Sequence, residues 1–327
     1  MSKRKNAGKI AYVCFVLVLV LVMLYSGLRI LESTVFHNTV PEENPIVTKT
    51  IVRDGVEYFP RQDITVIMVL GIDRYGVVED SGSYNNPCDA DMIALLIIDE
   101  ANEQYNILYL NRDTMLDMPV LGIGGREAGT YYGQLALAHT YGSGLKDSCE
   151  NVCKTLEAYL PGLTVDYYVS MRMDAIAILN DAVGGVTVMV EDDFSDVDPT
   201  IKKGEFTLNG NQALRYVQTR KDVGDQKNIT RMKRQQNYVQ SFMESFARCA
   251  ETDVNFMIST FEAISPYIVT NCSANTLNGF MNRYADYALG EVVTPQGRNV
   301  IGEKYYEFYS DEEALDELIL RLFYAQK

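Results

Sequence analysis

A layered α/β domain behind a single N-terminal membrane-spanning helix is the architecture this chain predicts. From Asp63 onward, apolar runs of strand length alternate with segments of helical period, the pattern of a sheet covered by helices. Ahead of them, Ile10 to Leu28 run for 19 residues without a charge, roughly 28 Å of helix and enough for one bilayer crossing. With 47% hydrophobic and 10% aromatic residues over 327 positions, the chain is composed to bury a real core.

Lys3, Arg4, Lys5 and Lys9 precede the apolar run. The positive-inside tendency therefore makes 1–9 a cytoplasmic tail and 10–28 the membrane helix, and sends everything after Arg29 outside the cell membrane. A cleaved signal peptide is the rival reading. The run is longer than a usual signal core, and Tyr25 to Leu31 carry only a weak small-x-small cleavage pattern. Residues 29–62 are polar and mixed, with Pro41, Pro45 and Pro60 and no sustained period, which predicts an extracellular stalk. Beyond residue 31 stand 24 of the 29 Lys+Arg and all 44 Asp+Glu, a net of −20, so nucleic acid is an unsuitable partner.

Six cysteines occur, of which Cys14 lies in the membrane segment. Cys88, Cys149, Cys153, Cys249 and Cys272 would face a compartment where disulfides persist, and being odd in number they leave at least one thiol free. Their spacing matches no zinc pattern, and Cys149 with Cys153 at i, i+4 fits one apolar helix face. Cys249 and Cys272 are the pair expected to join.

Asp63–Asp73 (DITVIMVLGID) has the pattern of a buried strand. Met92–Ile98 and Tyr105–Leu110 flank the polar turn 99–102 and predict an antiparallel hairpin pivoting near Ala101, which brings Asp91 beside Arg112 at one sheet end. Gly122 to Gly133 read as a glycine-rich loop. A helix follows from about Ser148 to Leu160, with Val152, Cys153, Leu156 and Tyr159 as its apolar stripe and Pro161-Gly162 as its stop. Tyr167–Met171 reads as a strand, Asp174–Val183 as a helix ended by Gly184-Gly185, and Val186–Val190 as a strand. After the acidic loop Glu191–Pro199, the stretch Ala213–Arg220 reads as another strand, and a long helix covers about Thr230–Ala250 with Met232, Val239, Met243 and Phe246 on one face. The remainder predicts a helix near Ser273–Leu289, a strand pair within Gly290–Tyr309, and a closing helix over Asp311–Tyr324. The chain shows no internal repeat.

Several catalytic constellations are missing: no G-x-S-x-G, no H-E-x-x-H, no Walker-type G-x-x-x-x-G-K, and only His37 and His139 as imidazoles. His139, in the apolar stretch LALAHTY, reads as structural. The acidic loop lacks the glycine and terminal glutamate of an EF-hand and reads as solvated. What stands out is arginine at element ends: Arg112 after YNILYLN, Arg220 after ALRYVQT and Arg231 opening the long helix. A guanidinium holds phosphate oxygens with two parallel hydrogen bonds, and a helix N-terminus adds donors. Arg231 and Gln235 share a helix face, whereas Arg234 points elsewhere. Pairing with the abundant carboxylates explains these arginines as well. Asp73 and Asp91 end and begin strands at the same place, where a hard divalent cation bound by substrate phosphates finds carboxylates.

Seven segments then occur in order: GID (71–73), DADM (89–92), NRDTM (111–115), GQLALAHTYGSG (133–144), DAVGGVTV (181–188), LNGNQALRYVQTR (208–220) and RMKRQQ (231–236). Together they resemble the LytR-CpsA-Psr domain over about 63–250, with 251–327 as a C-terminal α/β extension packed on the same domain. The resemblance implies an α/β/α sandwich with a mixed sheet. It also implies a membrane-anchored transferase of cell-wall biogenesis that moves a glycan phosphate, as in teichoic acid or capsular polysaccharide, from polyprenyl pyrophosphate to a peptidoglycan hydroxyl. It implies Mg²⁺ (or Mn²⁺) on Asp73 and Asp91, pyrophosphate bound by Arg112, Arg220, Arg231, Gln235 and Gln218, and catalytic roles for Arg112, Asp113, Arg220 and Arg231. Asp113 is either the proton acceptor for the sugar hydroxyl or the ion-pair partner that orients Arg112.

Three cationic positions common in the family are absent: Asp89 stands for an arginine, Gln134 for a lysine, and Gln218 opens what is often R-x-R. Asn228 stands three before Arg231, where an aspartate is common, and Asp225 is displaced upstream. Each lost charge-assisted contact with phosphate is worth roughly 1.5–3 kcal/mol. A binding module that holds polyprenyl lipid without turnover is thus the alternative, and a cell-envelope regulator a third.

Overall fold

The computed structural model of the chain describes residues 50–219, 221–224, 228–253, 256–272, 280, 283–284 and 286–326. The expected cytoplasmic tail, membrane helix and most of the stalk lie outside the described residues, as do Cys14, His37, Arg220, Asp225 and most of the helix expected at Ser273–Leu289. Among the described residues no helix is long and apolar enough to cross a membrane.

The chain divides into two compact units, one of residues 50–171, 269–272 and 289–326, the other of 172–268 with the described part of 273–288. The first is built on β1 (Ile51–Arg53), β2 (Val56–Pro60), β3 (Ile64–Ile72), β4 (Ala90–Asp99), β5 (Gln104–Leu110), β6 (Met115–Leu121), β7 (Glu127–Gln134), α1 (Lys146–Tyr159) and β8 (Tyr167–Arg172). From the C-terminal part come β11 (Ile268–Thr270), β12 (Ala288–Val293), β13 (Gly297–Ile301), β14 (Tyr306–Ser310), α6 (Glu312–Phe323) and β15 (Tyr324–Gln326).

Six strands form one sheet in the order β11-β8-β3-β4-β5-β12. Strands β3 and β4 are apolar at nearly every position because both faces of the sheet are buried. On one face Val66, Met68, Leu70, Ile93 and Leu95 pack with Val152 and Leu156 of α1 and Leu318, Ile319 and Leu322 of α6. The alternate positions Ile67, Leu96 and Ile98 are buried as well, as period 2 requires. The C-terminal extension is thus woven into the sheet at both edges and also supplies the covering helix α6. That helix is capped by Asp311, whose side chain accepts from the Ala314 amide at 3.0 Å.

Four expectations change, the first three as follows. Ile51–Pro60, within the stretch expected as a stalk, is the β1-β2 hairpin, and β15 adds to it as a third strand. Arg61 closes this edge with paired bonds to Asp63 (2.9 and 2.7 Å) and Asp99 (2.8 and 2.6 Å). The glycine-rich segment 122–133 is mostly strand: β7 pairs with β6 around a turn at Ile123–Gly125, where Gly124 takes φ 75°. Its alternation was hidden because nearly all of β7 is exposed on both faces. Cys249 and Cys272 do not join; all five described cysteines are thiols. Burial pushes the Cys153 thiol up to about 12 and the Cys149 thiol up as well, so neither ionises readily.

The second unit comprises α2 (Met173–Ala182), β9 (Val186–Val190), β10 (Gly204–Leu208), α3 (Gly210–Gln218), α4 (Asn228–Thr252) and α5 (Phe256–Ile264). β9 and β10 form an antiparallel pair running from Val186↔Leu208 to Val190↔Gly204. Ala213 to Gln218, expected as strand, is helix α3. Asn209 accepts from the Gln212 amide while the Gln212 side chain accepts from the Asn209 amide, a capping box that starts the helix. Ala213, Leu214, Tyr216 and Val217 then share one buried face. In α4, Tyr238 and Phe242 join the expected Met243 and Phe246 on the buried side, the two phenylalanine rings 5.8 Å apart.

Candidate functional site

The β4-β5 pairing runs from Asp99↔Gln104 to Ile93↔Leu110, the register expected from a pivot near residue 101. Two steps further, Arg112 forms an ion pair with Asp91. A β-bulge helps aim the carboxylate: Gly71 pairs with Met92 but Ile72 with Ala90, so Asp91 is the extra residue between them. A Cβ on Gly71 would sit 3.1 Å from that of Met92, which explains a glycine there.

Two more carboxylates surround the same guanidinium. Asp89 Oδ2 lies 3.8 Å from Arg112 Nη2, and Asp113 Oδ1 lies 3.6 Å from Nε. The side chains of Asp91, Asp113 and Arg112 are 9%, 5% and 18% exposed, so the charges meet where water screens them little. Asp73 closes the group: its amide donates to the Asp89 carbonyl at 3.0 Å. Burial raises the Asp89 pKa, Arg112 lowers it and Asp73 raises it again, with a net upward shift.

Local hydrogen bonds hold these side chains. Asn111 Oδ1 accepts from the Asp113 amide at 3.0 Å, an Asx turn that sets the Arg112-Asp113 pair at the end of β5. The Thr114 hydroxyl donates to the Asn111 carbonyl at 2.6 Å. Ahead of β4, the buried Asn86 amide donates to the carbonyls of His139 and Gly142, each at 2.8 Å, and to Ser148 Oγ at 3.1 Å. His139 is itself buried with Nδ1 2.8 Å from the Cys88 carbonyl, in the structural role expected.

Gln134 enters this frame in a way the sequence did not announce. Its amide nitrogen reaches Asp113 Oδ1 at 2.9 Å and the Tyr306 carbonyl at 2.8 Å. Strand β14 lies against the same turn, with the Phe308 amide donating to the Asp113 carbonyl at 2.8 Å and Thr114 bridging Phe308. The C-terminal extension therefore braces the Arg112-Asp113 turn. Only the Asx-turn residue Asn111 carried a local signal; Gln134 and Tyr306 stand 172 positions apart.

As a metal site the cluster has the right donors and too few of them. Among the described residues no three His, Cys, Asp or Glu side chains converge so as to hold an ion by themselves. The oxygen donors of Asp73 and Asp91, with Asp89 adding negative charge, fit a hard cation that brings phosphate oxygens with it.

In the second unit the arginines sort differently. Arg231 and Arg234 are both buried, 5% and 6% exposed. Arg234 donates to Asp192 at 2.6 Å, to the Tyr216 carbonyl at 3.2 Å and to the Thr219 carbonyl, and its guanidinium lies 5.5 Å from the Phe194 ring centroid. Gln235 donates to the Val217 carbonyl at 3.1 Å. Together they satisfy carbonyls at the C-terminal end of α3, where a cation also complements the helix dipole. Gln218 ends that helix, and Arg220 is outside the described residues.

The LytR_cpsA_psr family matches this chain over residues 33–322. The polyisoprenyl-teichoic acid–peptidoglycan teichoic acid transferase TagU of Bacillus licheniformis is 23% identical over 98% of this chain and 97% of its own. TagU of Bacillus subtilis is 24% identical over 87% of this chain and 85% of its own. The crystal structure of Bacillus subtilis TagV superposes with a TM-score of 0.58 at 22% identity, covering 80% of this chain and 96% of that one, which shows a shared fold.

Proposed function

Because the chain belongs to the LytR_cpsA_psr family, we propose that it is an extracellular, membrane-anchored phosphotransferase. It would move a glycopolymer phosphate from a polyprenyl-pyrophosphate carrier to a peptidoglycan hydroxyl. The observation that carries this reading is the Asp91-Arg112-Asp113 constellation at the sheet end, with Asp73 and Asp89 beside it. Its residues stand on the motifs that carry the family resemblance, and the relatives named above are transferases.

In this mechanism the acceptor oxygen attacks the glycan-bearing phosphorus, the bond from that phosphorus to the pyrophosphate bridging oxygen breaks, and the lipid monophosphate leaves. Arg112 turns from its carboxylates to the phosphate oxygens and neutralises charge as the leaving group departs. Asp113, buried and fixed by Gln134 and the Asn111 turn, accepts the hydroxyl proton or hands it to water while keeping Arg112 oriented. Mg²⁺ (or Mn²⁺), held by Asp73 and Asp91, would supply charge neutralisation on the donor phosphates when bound. For Gln218, Arg220, Arg231 and Gln235 a phosphate-binding role rests on the resemblance alone.

A second reading, a polyprenyl-lipid-binding module without turnover, is favoured by one observation: Asp89, a carboxylate, stands 3.8 Å from Arg112 where many members carry arginine. Transfer of radiolabelled polyprenyl-pyrophosphate glycan to peptidoglycan with Mg²⁺ separates the two. Label transferred by the parent and lost in Arg112→Ala and Asp91→Ala supports the transferase; lipid bound with no label reaching any acceptor supports the binding module.

A further inference from the structure

Hairpin β6-β7 leads from the Arg112-Asp113 turn into solvent, and tyrosines stand among its exposed residues. Tyr132 is 52% exposed, and Tyr305 and Tyr306 at the start of β14 are 65% and 50% exposed. Tyr132 shares a strand face with Gln134, the residue that holds both Asp113 and the Tyr306 carbonyl. Tyr132 lies close enough to Tyr309 for the two side chains to interact, and the Tyr309 hydroxyl donates to Glu307 at 2.7 Å. Arg298, paired with Tyr309 across β13-β14, has its guanidinium 5.8 Å from that ring's centroid. Two hairpins distant in sequence thus set tyrosines side by side, continuous with the reaction cluster.

Exposed tyrosine rings beside the fixed Tyr309 hydroxyl suit one ligand chemistry above others. A pyranose offers an apolar C–H face to an aromatic ring and hydroxyls to the polar groups around it, and tyrosine offers both a ring face and a polar tip. The chain has 22 tyrosines, 12 phenylalanines and no tryptophan, so tyrosine is its ring with a polar tip. Charge selects among glycans. Asp117 stands across from Tyr132 in register, Glu307 borders Tyr309, Arg298 already faces a ring, and Lys304 stands at the margin beside Tyr305. A polyanionic phosphodiester finds little here to neutralise it, whereas an uncharged sugar backbone is not repelled.

We propose that the Tyr132-Tyr309 face, with Tyr305 at its margin, is the surface on which the neutral glycan backbone of the acceptor lies as its hydroxyl reaches Asp113. The proposal rests on the transferase reading for the direction of the chemistry, but binding is measurable without transfer. The experiment is cosedimentation of the full chain, in detergent micelles, with peptidoglycan sacculi stripped of anionic polymer. Parent, Tyr132→Ala and Tyr132→Phe are compared, with thermal midpoints as the folding control. Tyr132→Ala is expected to bind roughly tenfold more weakly, as truncating an aromatic anchor does, and Tyr132→Phe to stay within about threefold of the parent. A parent that does not sediment with sacculi, a Tyr132→Ala that sediments as the parent does, or tyrosine-dependent binding of free anionic polymer in preference to sacculi would overturn it. Tyrosine-dependent sacculus binding in a protein that transfers no label would keep the surface and remove the transferase reading.

Discussion

Arg112 and Arg234 are both drawn inside their units, and what holds each one differs in kind. Arg112 is ringed by carboxylates: Asp91, Asp89 and Asp113. Arg234 meets one carboxylate, two backbone carbonyls and a ring face. Carbonyls at a helix end stay where the backbone puts them, so a guanidinium spread over them is part of the frame. Carboxylates drawn together out of water are less content as anions, as the upward shift of Asp89 from burial, with Asp73 adding to it, shows, and an arginine among them can exchange a partner for phosphate. The kind of partner, more than depth of burial, separates an arginine that builds from one that binds.

The largest expected effect falls on the framing arginine. Arg234→Ala leaves Asp192 without its cation and strips donors from the end of α3, so it should cost about 3–5 kcal/mol in urea unfolding. Arg234→Lys should restore only the ion pair; if it restores full stability, the contrast drawn here breaks. At the other arginine the same conservative change should act on chemistry. Arg112→Lys keeps the charge but loses the planar fork, and transfer should fall about 10²-fold with unfolding stability changed by less than about 1 kcal/mol.

A smaller effect tests whether the brace from the C-terminal hairpin matters. Gln134→Ala frees Asp113 and the Tyr306 carbonyl from that side chain, and transfer should drop about tenfold, the worth of one hydrogen bond to a charged group. That loss should appear in kcat more than in KM for donor, because Gln134 acts through Asp113.

The smallest effect separates carboxylates that gain from arginine from those that do not. The hydrogen bond from Arg61 holds Asp63 below its usual 3.8. Asp99 is also held below it: desolvation would raise it, and bonds from Arg61 and Asn102 outweigh that. Their stability is present above the ordinary value and lost as pH falls through the lowered one. Asp89 runs the other way: its raised pKa makes the ionised form a penalty that is relieved as pH falls from neutral through that value. Asp63→Asn should therefore flatten the acid end of a stability-against-pH curve by under about 1 kcal/mol, since Asp63 is 43% exposed. Asp89→Asn should flatten the stretch between neutral and about pH 4.

Much of the site's first half was legible in the sequence, and the reason is local. A short turn fixes the register of a hairpin, and register fixes which side chains meet at its far end. Asp91 beside Arg112 followed from counting outward from residue 101, and the bulge at Gly71 only refined it. The helix over Lys146–Tyr159 and the strand at Val186–Val190 followed from periodicity in the same way. Legibility failed where a local pattern had two solutions. Ala213 to Gln218 carries apolar residues that suit either a strand or a short helix, and the capping box at Asn209 decided it. The exposed β7 shows no alternation because it has no buried face to alternate with.

By itself the sequence determined what is set within a window of a few turns: element types for most of the chain, the β4-β5 register, the acidic surface and the ordered motifs of the family. Tertiary structure decided what depends on distant segments meeting: that Gln134 and strand β14 brace Asp113, that Arg234 ties Asp192 to the end of α3, and that the C-terminal segment completes the central sheet. The physical reason is that a hydrogen bond between positions 134 and 306 adds nothing to the local pattern at either one, so only the folded packing makes it visible.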